Sequence, residues 1–395
     1  MDRLWLTAKP INVPDTASRQ LKPALLDVEP SEFARRVSER GERAYRARQV
    51  YDWVARRRAE SFETMSDLPK GFRAALAEDW ELFGTTVAAR DVSPDGTEKL
   101  LLSCRDGAKL ECVLMYEADR RTVCISTQVG CGMGCVFCAS GLKGLERNLT
   151  RGELLEQVLR LRNLLPADER LTNLVVMGMG ESLANYDNLI AALDWLCSPE
   201  GLGLGQRRVT ISTVGLPEKI LKLAALDRQY HLAVSLHAPT EALRDELVPI
   251  SQKVGLGAVM DAADAYFRAT GRQVTFEYAL LRGINDGESH AAALARLLRD
   301  RRSHVNLIPY NPVEGLPFER PAPEAVERFT TILRSRGVSV TVRRTKGRSI
   351  DAACGQLRRR KEREAGADAL AALSAGASAA ESGDRSGTVH ENRPN

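Results

Sequence analysis

The chain has 395 residues, 56 Lys and Arg against 52 Asp and Glu, and a formal net charge of +4. That balance excludes a histone-like polycation and an acidic disordered chain, while 44% hydrophobic and 27% charged residues support a large core in roughly two or three units. No apolar run approaches the roughly 18 residues of a membrane span, so no membrane partner is expected. The first residues lack a secretion signal's apolar stretch. Eight cysteines, three of them clustered, point to a reducing cytoplasm and to metal-binding or catalytic thiols.

Residues 1–28, with Pro10, Pro14 and Pro23, show no period and are expected to form a poorly ordered leader. Residues 29–82 read as a helical accessory unit broken at Pro69 and Gly71. Arginines and aromatics interleave there (Arg46, Arg48, Tyr51, Trp53, Arg57, Arg58), a pattern common to solvated helices and to RNA-binding faces. Across 83–121 the period changes, and Asp95-Gly96 and Asp106-Gly107 separate short strand-like runs, the signal of a β-hairpin extension.

From 122 to 357 strands and helices alternate. Candidate strands are Thr122–Thr127, Asn173–Met177, Arg208–Ser212, Leu232–Leu236, Val274–Leu280, Val305–Ile308 and Ser339–Arg343. Between them, Thr150 and Glu153 form a capping box ahead of the stripe Leu154, Val158, Leu161, Leu165. A second helix opens at Asn185 with Leu189, Leu193, Leu196 and Cys197 on its apolar face. This repetition predicts an α/β fold with parallel strands inside and helices outside, open or closed into a barrel. Residues 358–395 start Arg358-Arg359-Arg360-Lys361 and pass into a low-complexity tail.

The sharpest signal is Cys131-Gly132-Met133-Gly134-Cys135-Val136-Phe137-Cys138. Thiolates spaced by three and then two residues can wrap one side of a cuboidal iron–sulfur cluster, and the glycines allow the tight backbone excursion between them. Structural zinc usually takes four protein ligands, and no partner pair lies nearby in sequence. Three ligands leave one iron open to a small molecule.

This spacing, with Phe137 before the last cysteine, resembles the signature of radical S-adenosylmethionine (SAM) enzymes, whose fold is a partial (β/α)6 barrel. Further segments narrow the likeness: Cys124 to Cys131, Arg147-Asn148-Leu149, Gly178-Met179-Gly180-Glu181, Ser235-Leu236-His237-Ala238-Pro239, Asn306-Leu307-Ile308-Pro309 and Asp351 to Leu357. Together they are similar to the RlmN/Cfr group of RNA adenine methyltransferases. Ser182 departs from the proline that this group usually shows after Gly-Glu.

The resemblance implies a 4Fe-4S cluster on Cys131, Cys135 and Cys138. It implies SAM as both methyl donor and radical source, held by Gly180, Glu181, Ser212, Ser235, Leu236, His237 and Asn311. It further implies a methyl-carrying cysteine at Cys354, a second cysteine at Cys124 that resolves the adduct through a disulfide with Cys354, and a proton-accepting glutamate at Glu111. The chemistry explains the detour. Adenine C2 lies between two ring nitrogens and offers no lone pair to a sulfonium methyl, so a methyl parked on sulfur must first become a carbon radical.

The expected partners are 23S rRNA, tRNA and a cytoplasmic electron donor, with the chain a monomer. A flipped or unpaired base is the implied target, with Arg46, Arg48, Arg57 and Arg58 of the helical unit, and Arg343, Arg344, Lys346 and Arg348 beside Cys354, as the expected phosphate contacts. Methylation at adenine C8, as in the Cfr branch, and a non-catalytic RNA-binding protein with a structural metal remain the alternatives. Cys104, Cys112 and Cys197 read as packing residues.

Overall fold

The computed structural model describes residues 22–343 and 345–357. The tail and Arg344 lie outside the described residues. Among the described residues three α-helices come first: α1 (Pro30–Glu39), α2 (Tyr45–Ala55) and α3 (Lys70–Asp79). The leader expected over 1–28 is corrected at its C-terminal end. Ala24, Leu25 and Leu26 are fully packed, Leu25 N–H donates to Glu81 O (2.8 Å), and Asp27 Oδ1 accepts from Gly152 N–H (2.9 Å). Long-range partners order this stretch, and no local period announces them.

Four antiparallel strands follow: β1 (Thr86–Val92), β2 (Glu98–Ser103), β3 (Lys109–Glu117) and β4 (Arg120–Cys124), turning at Gly96 and Gly107 in the left-handed region as the Asp-Gly pairs predict. A short antiparallel pair, β5 (Gln128–Gly130) and β6 (Leu145–Asn148), brackets the cysteine loop. The alternating region then runs α4 (Arg151–Asn163), β7 (Asn173–Val176), α5 (Tyr186–Cys197), β8 (Val209–Thr213), α6 (Pro217–Ala224), β9 (His231–Ser235) and α7 (Glu241–Leu247). It ends with α8 (Ser251–Val254), α9 (Leu256–Thr270), β10 (Val274–Leu280), α10 (Glu288–Leu297), β11 (Ser303–Pro309), α11 (Pro323–Ser335) and β12 (Ser339–Val342).

One ten-stranded sheet runs β1-β2-β3-β4-β7-β8-β9-β10-β11-β12, and every neighbour pair from β4 to β12 is parallel. The hairpin strands therefore continue the barrel sheet, and β12 adds a parallel strand beyond the sixth. Apolar side chains on both faces of these strands are buried as parallel strands require, Leu232, Val234, Phe276 and Tyr278 on one face and Ala233 and Ala279 on the other.

The helical accessory unit shares its core with the barrel flank. Tyr51 packs against Trp195 of α5 (6.1 Å between ring centroids), and the buried Arg162 of α4 donates to Val54 O and Ala55 O (2.8 and 2.6 Å). Helix α4 starts on the predicted capping box, with Thr150 Oγ1 accepting from Glu153 N–H (3.1 Å) and the Glu153 carboxylate accepting from Thr150 N–H (2.9 Å). Such a cap contributes about 1 kcal/mol. Among the described residues no helix is long and apolar enough to cross a membrane.

Candidate active site

Cys131 follows β5 and bonds through its N–H to Gly144 O (2.9 Å), which closes the loop on itself. Gly130 makes that possible: its φ is +79°, and a Cβ there would lie 2.0 Å from the Gly144 carbonyl. Farther along, Val136 N–H donates to Leu247 O (3.2 Å), Ala139 N–H to Gly355 O (2.9 Å) and Ser140 Oγ to Leu357 O (3.0 Å). The cysteine loop is thus stitched directly to the segment carrying Cys354. Tyr310 Oη adds a bond to Phe137 O (3.2 Å), and Gln356 Nε2 donates to Pro312 O (2.9 Å).

Cys131, Cys135 and Cys138 line one cavity enclosing about 1050 Å³ of space, part of it open to solvent. Burial pushes all three thiols up, Cys131 to about 11. Binding of iron would displace those protons. Among the described residues no three His, Cys, Asp or Glu side chains converge tightly enough for one metal ion. Three thiols on one short glycine-containing loop are a donor set of the kind that iron–sulfur clusters use.

Strand ends supply the rest of the wall. Gly180, Glu181, Ser212, Ser235, His237 and Asn311 all line this cavity; Leu236 does not, because its side chain is buried in the main core. The Gly178–Glu181 turn is fixed by Gln128, whose Oε1 accepts from Glu181 N–H (2.9 Å). The Glu181 carboxylate accepts from Leu183 N–H (3.0 Å) and Val214 N–H (2.7 Å), and burial raises its pKa. Ser182 opens a short 3₁₀ turn and donates to Val176 O (3.2 Å), so a hydrogen bond anchors this position.

His237 sits in the left-handed region at φ +60°. Its Nδ1 accepts from Ala279 N–H (3.0 Å), which places the proton of the neutral ring on Nε2. Burial, assisted by the Arg244 charge, drives its pKa down to about 3. Asn285 secures the backbone beneath, donating to His237 O (2.8 Å) and Ala279 O (2.7 Å).

A second cavity adjoins the first and is lined by Cys124 with Glu117, Arg120, Asn173, Asn306, Thr345 and Lys346. Cys354, Arg343, Asn311 and Met177 line both. Desolvation, with Cys354 nearby, raises Cys124 to about 12. The same Cys354, with Glu277 and Cys124 behind it, holds Arg343 firmly cationic. All eight cysteines are free thiols in the structure.

Glu111 lines neither cavity. It is buried on β3 and ion-paired with Lys99 (2.9 Å), while its backbone carbonyl accepts from Ser126 Oγ (2.6 Å). Residues that the sequence reading left without a site role include Glu277, which lines the first cavity and accepts from Asn306 Nδ2 (2.9 Å). A carboxylate inside the apolar strand Val274–Leu280 was the available signal. Of the arginines read as phosphate contacts, Arg58 instead donates to the carbonyls of Pro166 (3.1 Å) and Glu169 (2.7 Å). Arg57 pairs with Asp67 (2.9 Å) over the Trp53 ring, whereas Arg48 is exposed.

Comparison with known proteins matches residues 125–295 to the Radical SAM superfamily and residues 24–82 to the Ribosomal RNA large subunit methyltransferase N-terminal domain. The probable dual-specificity RNA methyltransferase RlmN of Rhodopirellula baltica is 55% identical over 325 residues, 82% of this chain and 88% of that protein. RlmN 3 of Opitutus terrae is 45% identical over 362 residues, covering 87% and 96%. A radical SAM methyltransferase from Sphaerobacter thermophilus has the same fold at a TM-score of 0.83 and 46% identity, covering 85% of this chain and 99% of that one. With the cysteine loop, the strand-end cavity and both domain matches in agreement, the chain belongs to the RlmN family of radical SAM RNA methyltransferases.

Proposed function

We propose that the protein methylates C2 of adenosine in 23S rRNA and in tRNA, through a methyl group carried on Cys354. The observation that supports this reading is the position of Cys354 on the shared wall of two cavities, one lined by the three loop cysteines and the other by Cys124.

Cys131, Cys135 and Cys138 would hold a 4Fe-4S cluster, which when loaded supplies the electron that cleaves SAM to a 5′-deoxyadenosyl radical. The backbone at Gly180 and Glu181, the hydroxyls of Ser212 and Ser235, the Nε2–H of His237 and the Asn311 amide, which line the same cavity as the three cysteines, would bind and orient SAM. Leu236 is assigned a backbone contact only.

Cys354 takes a methyl group from SAM as a thiolate, beside the Arg343 guanidinium. Transfer of a hydrogen atom from the S-methyl group to the 5′-deoxyadenosyl radical would leave a methylene radical on Cys354, which adds to C2 and tethers the RNA. After the adduct gives up the C2 proton and one electron, which the oxidised cluster would accept, the Cys124 thiolate attacks the Cys354 sulfur; the carbon leaves as a ring-stabilised methylene anion that takes up a proton to become the methyl group, and the two cysteines are left as a transient disulfide. A cytoplasmic reductant returns the pair to thiols. Glu111 is assigned as a proton acceptor, on the same β3 face as Val113, whose register partner is Cys124.

The second cavity, with Arg120 and Lys346 on its wall, would admit the flipped base and its phosphates. Nucleoside mass spectrometry of rRNA and tRNA from cells with and without the gene tests the assignment. C2-methyladenosine that disappears with the gene supports it, and C8-methyladenosine in its place overturns it.

A further inference from the structure

Arg244 is the largest fully buried side chain among the described residues, 1% exposed, and its neighbours are unusual for a buried cation. The guanidinium donates to Leu236 O (3.3 Å), Ser235 O (3.3 Å), Val214 O and Ser251 Oγ (2.8 Å). All of these acceptors are neutral. The nearest acids, Asp245 and Glu241, lie on its own helix α7 and make no ion pair with it; Glu241 Oε1 instead accepts from Leu256 N–H (3.2 Å). Glu181 is across the Val214 peptide, accepting from the N–H of the residue whose carbonyl Arg244 holds, and burial pushes that carboxyl toward its neutral form. No ion pair among the described residues offsets the cost of burying this guanidinium, which is several kcal/mol, so further negative charge close by would stabilise it.

The geometry says where that charge belongs. Helix α7 and the turn after it dock on the cysteine loop: Leu247 O accepts from Val136 N–H (3.2 Å), and Leu247 and Val248 pack in one apolar cluster with Phe137 and Cys135. The Cys135 sulfur lies within electrostatic reach of the Arg244 guanidinium. Three thiolates on a cluster carry net negative charge, and reduction adds one more.

We propose that Arg244 is the buried counter-charge of the iron–sulfur cluster, a positioning residue that raises its reduction potential and favours uptake of the electron. This rests on the reading of Cys131, Cys135 and Cys138 as cluster ligands. The guanidinium also ties the ends of β8 and β9 together through Val214, Ser235 and Leu236. One side chain therefore couples the shape of the SAM wall to the electrostatics of the loop.

The test is the midpoint potential of the cluster in full-length protein, reconstituted anaerobically with iron and sulfide and titrated under electron paramagnetic resonance. Arg244→Gln is expected to weaken the one-electron reduction about tenfold, a shift of about −59 mV. Ser251→Asp, which sets a carboxylate against the guanidinium and leaves the arginine in place, is expected to shift the potential the same way. It also keeps the proposal testable if the first variant does not fold. Arg244→Lys, which keeps the charge but fewer hydrogen bonds, should stay near the wild-type potential. A clustered protein whose potential is unmoved by Ser251→Asp, or equally lowered by Arg244→Lys, overturns the role of Arg244 alone. A wild-type protein that takes up zinc without sulfide overturns the cluster reading and this inference with it.

Discussion

Cys124 and Cys354 reach one cavity from opposite ends of the parallel sheet: Cys124 closes β4, the first parallel strand, and Cys354 follows β12, the last. Curvature of the barrel makes neighbours of residues 230 positions apart. Burial keeps Cys124 protonated, up to about 12, so it is a poor nucleophile until the reaction brings it a proton acceptor or a change of surroundings. Cys124→Ala should therefore still methylate Cys354 yet stall with RNA joined to the protein. A denaturing gel with end-labelled RNA reads this directly. Normal turnover without any adduct would remove Cys124 from the relay.

The basic surface divides into structural and solvent-facing arginines. Arg58→Ala removes the donor to the Leu165 and Glu169 carbonyls, leaves Pro166 O with the Glu169 N–H alone, and is expected to cost about 1–3 kcal/mol. Urea unfolding should show that loss, while the salt dependence of RNA binding stays as in the parent. Arg48→Glu should do the reverse: unchanged stability, a higher Kd for RNA, and a log K against log salt slope shallower by roughly one unit. If Arg58→Ala alters the slope and Arg48→Glu does not, the division is wrong.

His237 gives the fold a pH signature. Its pKa falls from an ordinary 6.5 to about 3 because burial penalises the charged ring. Between those values the unfolded chain binds a proton that the folded chain refuses. Stability contributed by this residue is therefore fully present above 6.5 and is lost as pH falls toward 3, at a limiting slope of about 1.4 kcal/mol per unit. His237→Asn tolerates the left-handed backbone and keeps an acceptor for Ala279 N–H, but does not titrate. Urea midpoints of protein without cluster, compared at pH 7, 6 and 5, should decline less steeply in the variant. Parallel declines would contradict the assignment.

Local pattern made much of the fold legible. Strand Val274–Leu280 has the bounds its apolar run predicts, and the Thr150 cap stands where Glu153 points to it. The cysteine loop was legible because glycine and thiol spacing is itself the chemistry. What stayed hidden depends on long-range partners. Leu25 and Leu26 are too short a run to show a period, and their burial comes from Glu81 and Arg151. Arg244 lies beside Asp245 and Glu246 in a seven-residue helix, and nothing local shows that the fold brings the ends of two strands over it. Arg58 looked like a phosphate contact because sequence shows charge but not the carbonyls that absorb it.

The central claim is that the methyl group passes through sulfur at Cys354. Anaerobically reconstituted protein, incubated with methyl-labelled SAM and then with rRNA or tRNA, should carry label first on the peptide containing Cys354 and afterwards at adenosine C2. Cys354→Ala should show neither. Undiminished C2-methyladenosine from Cys354→Ala would contradict the account.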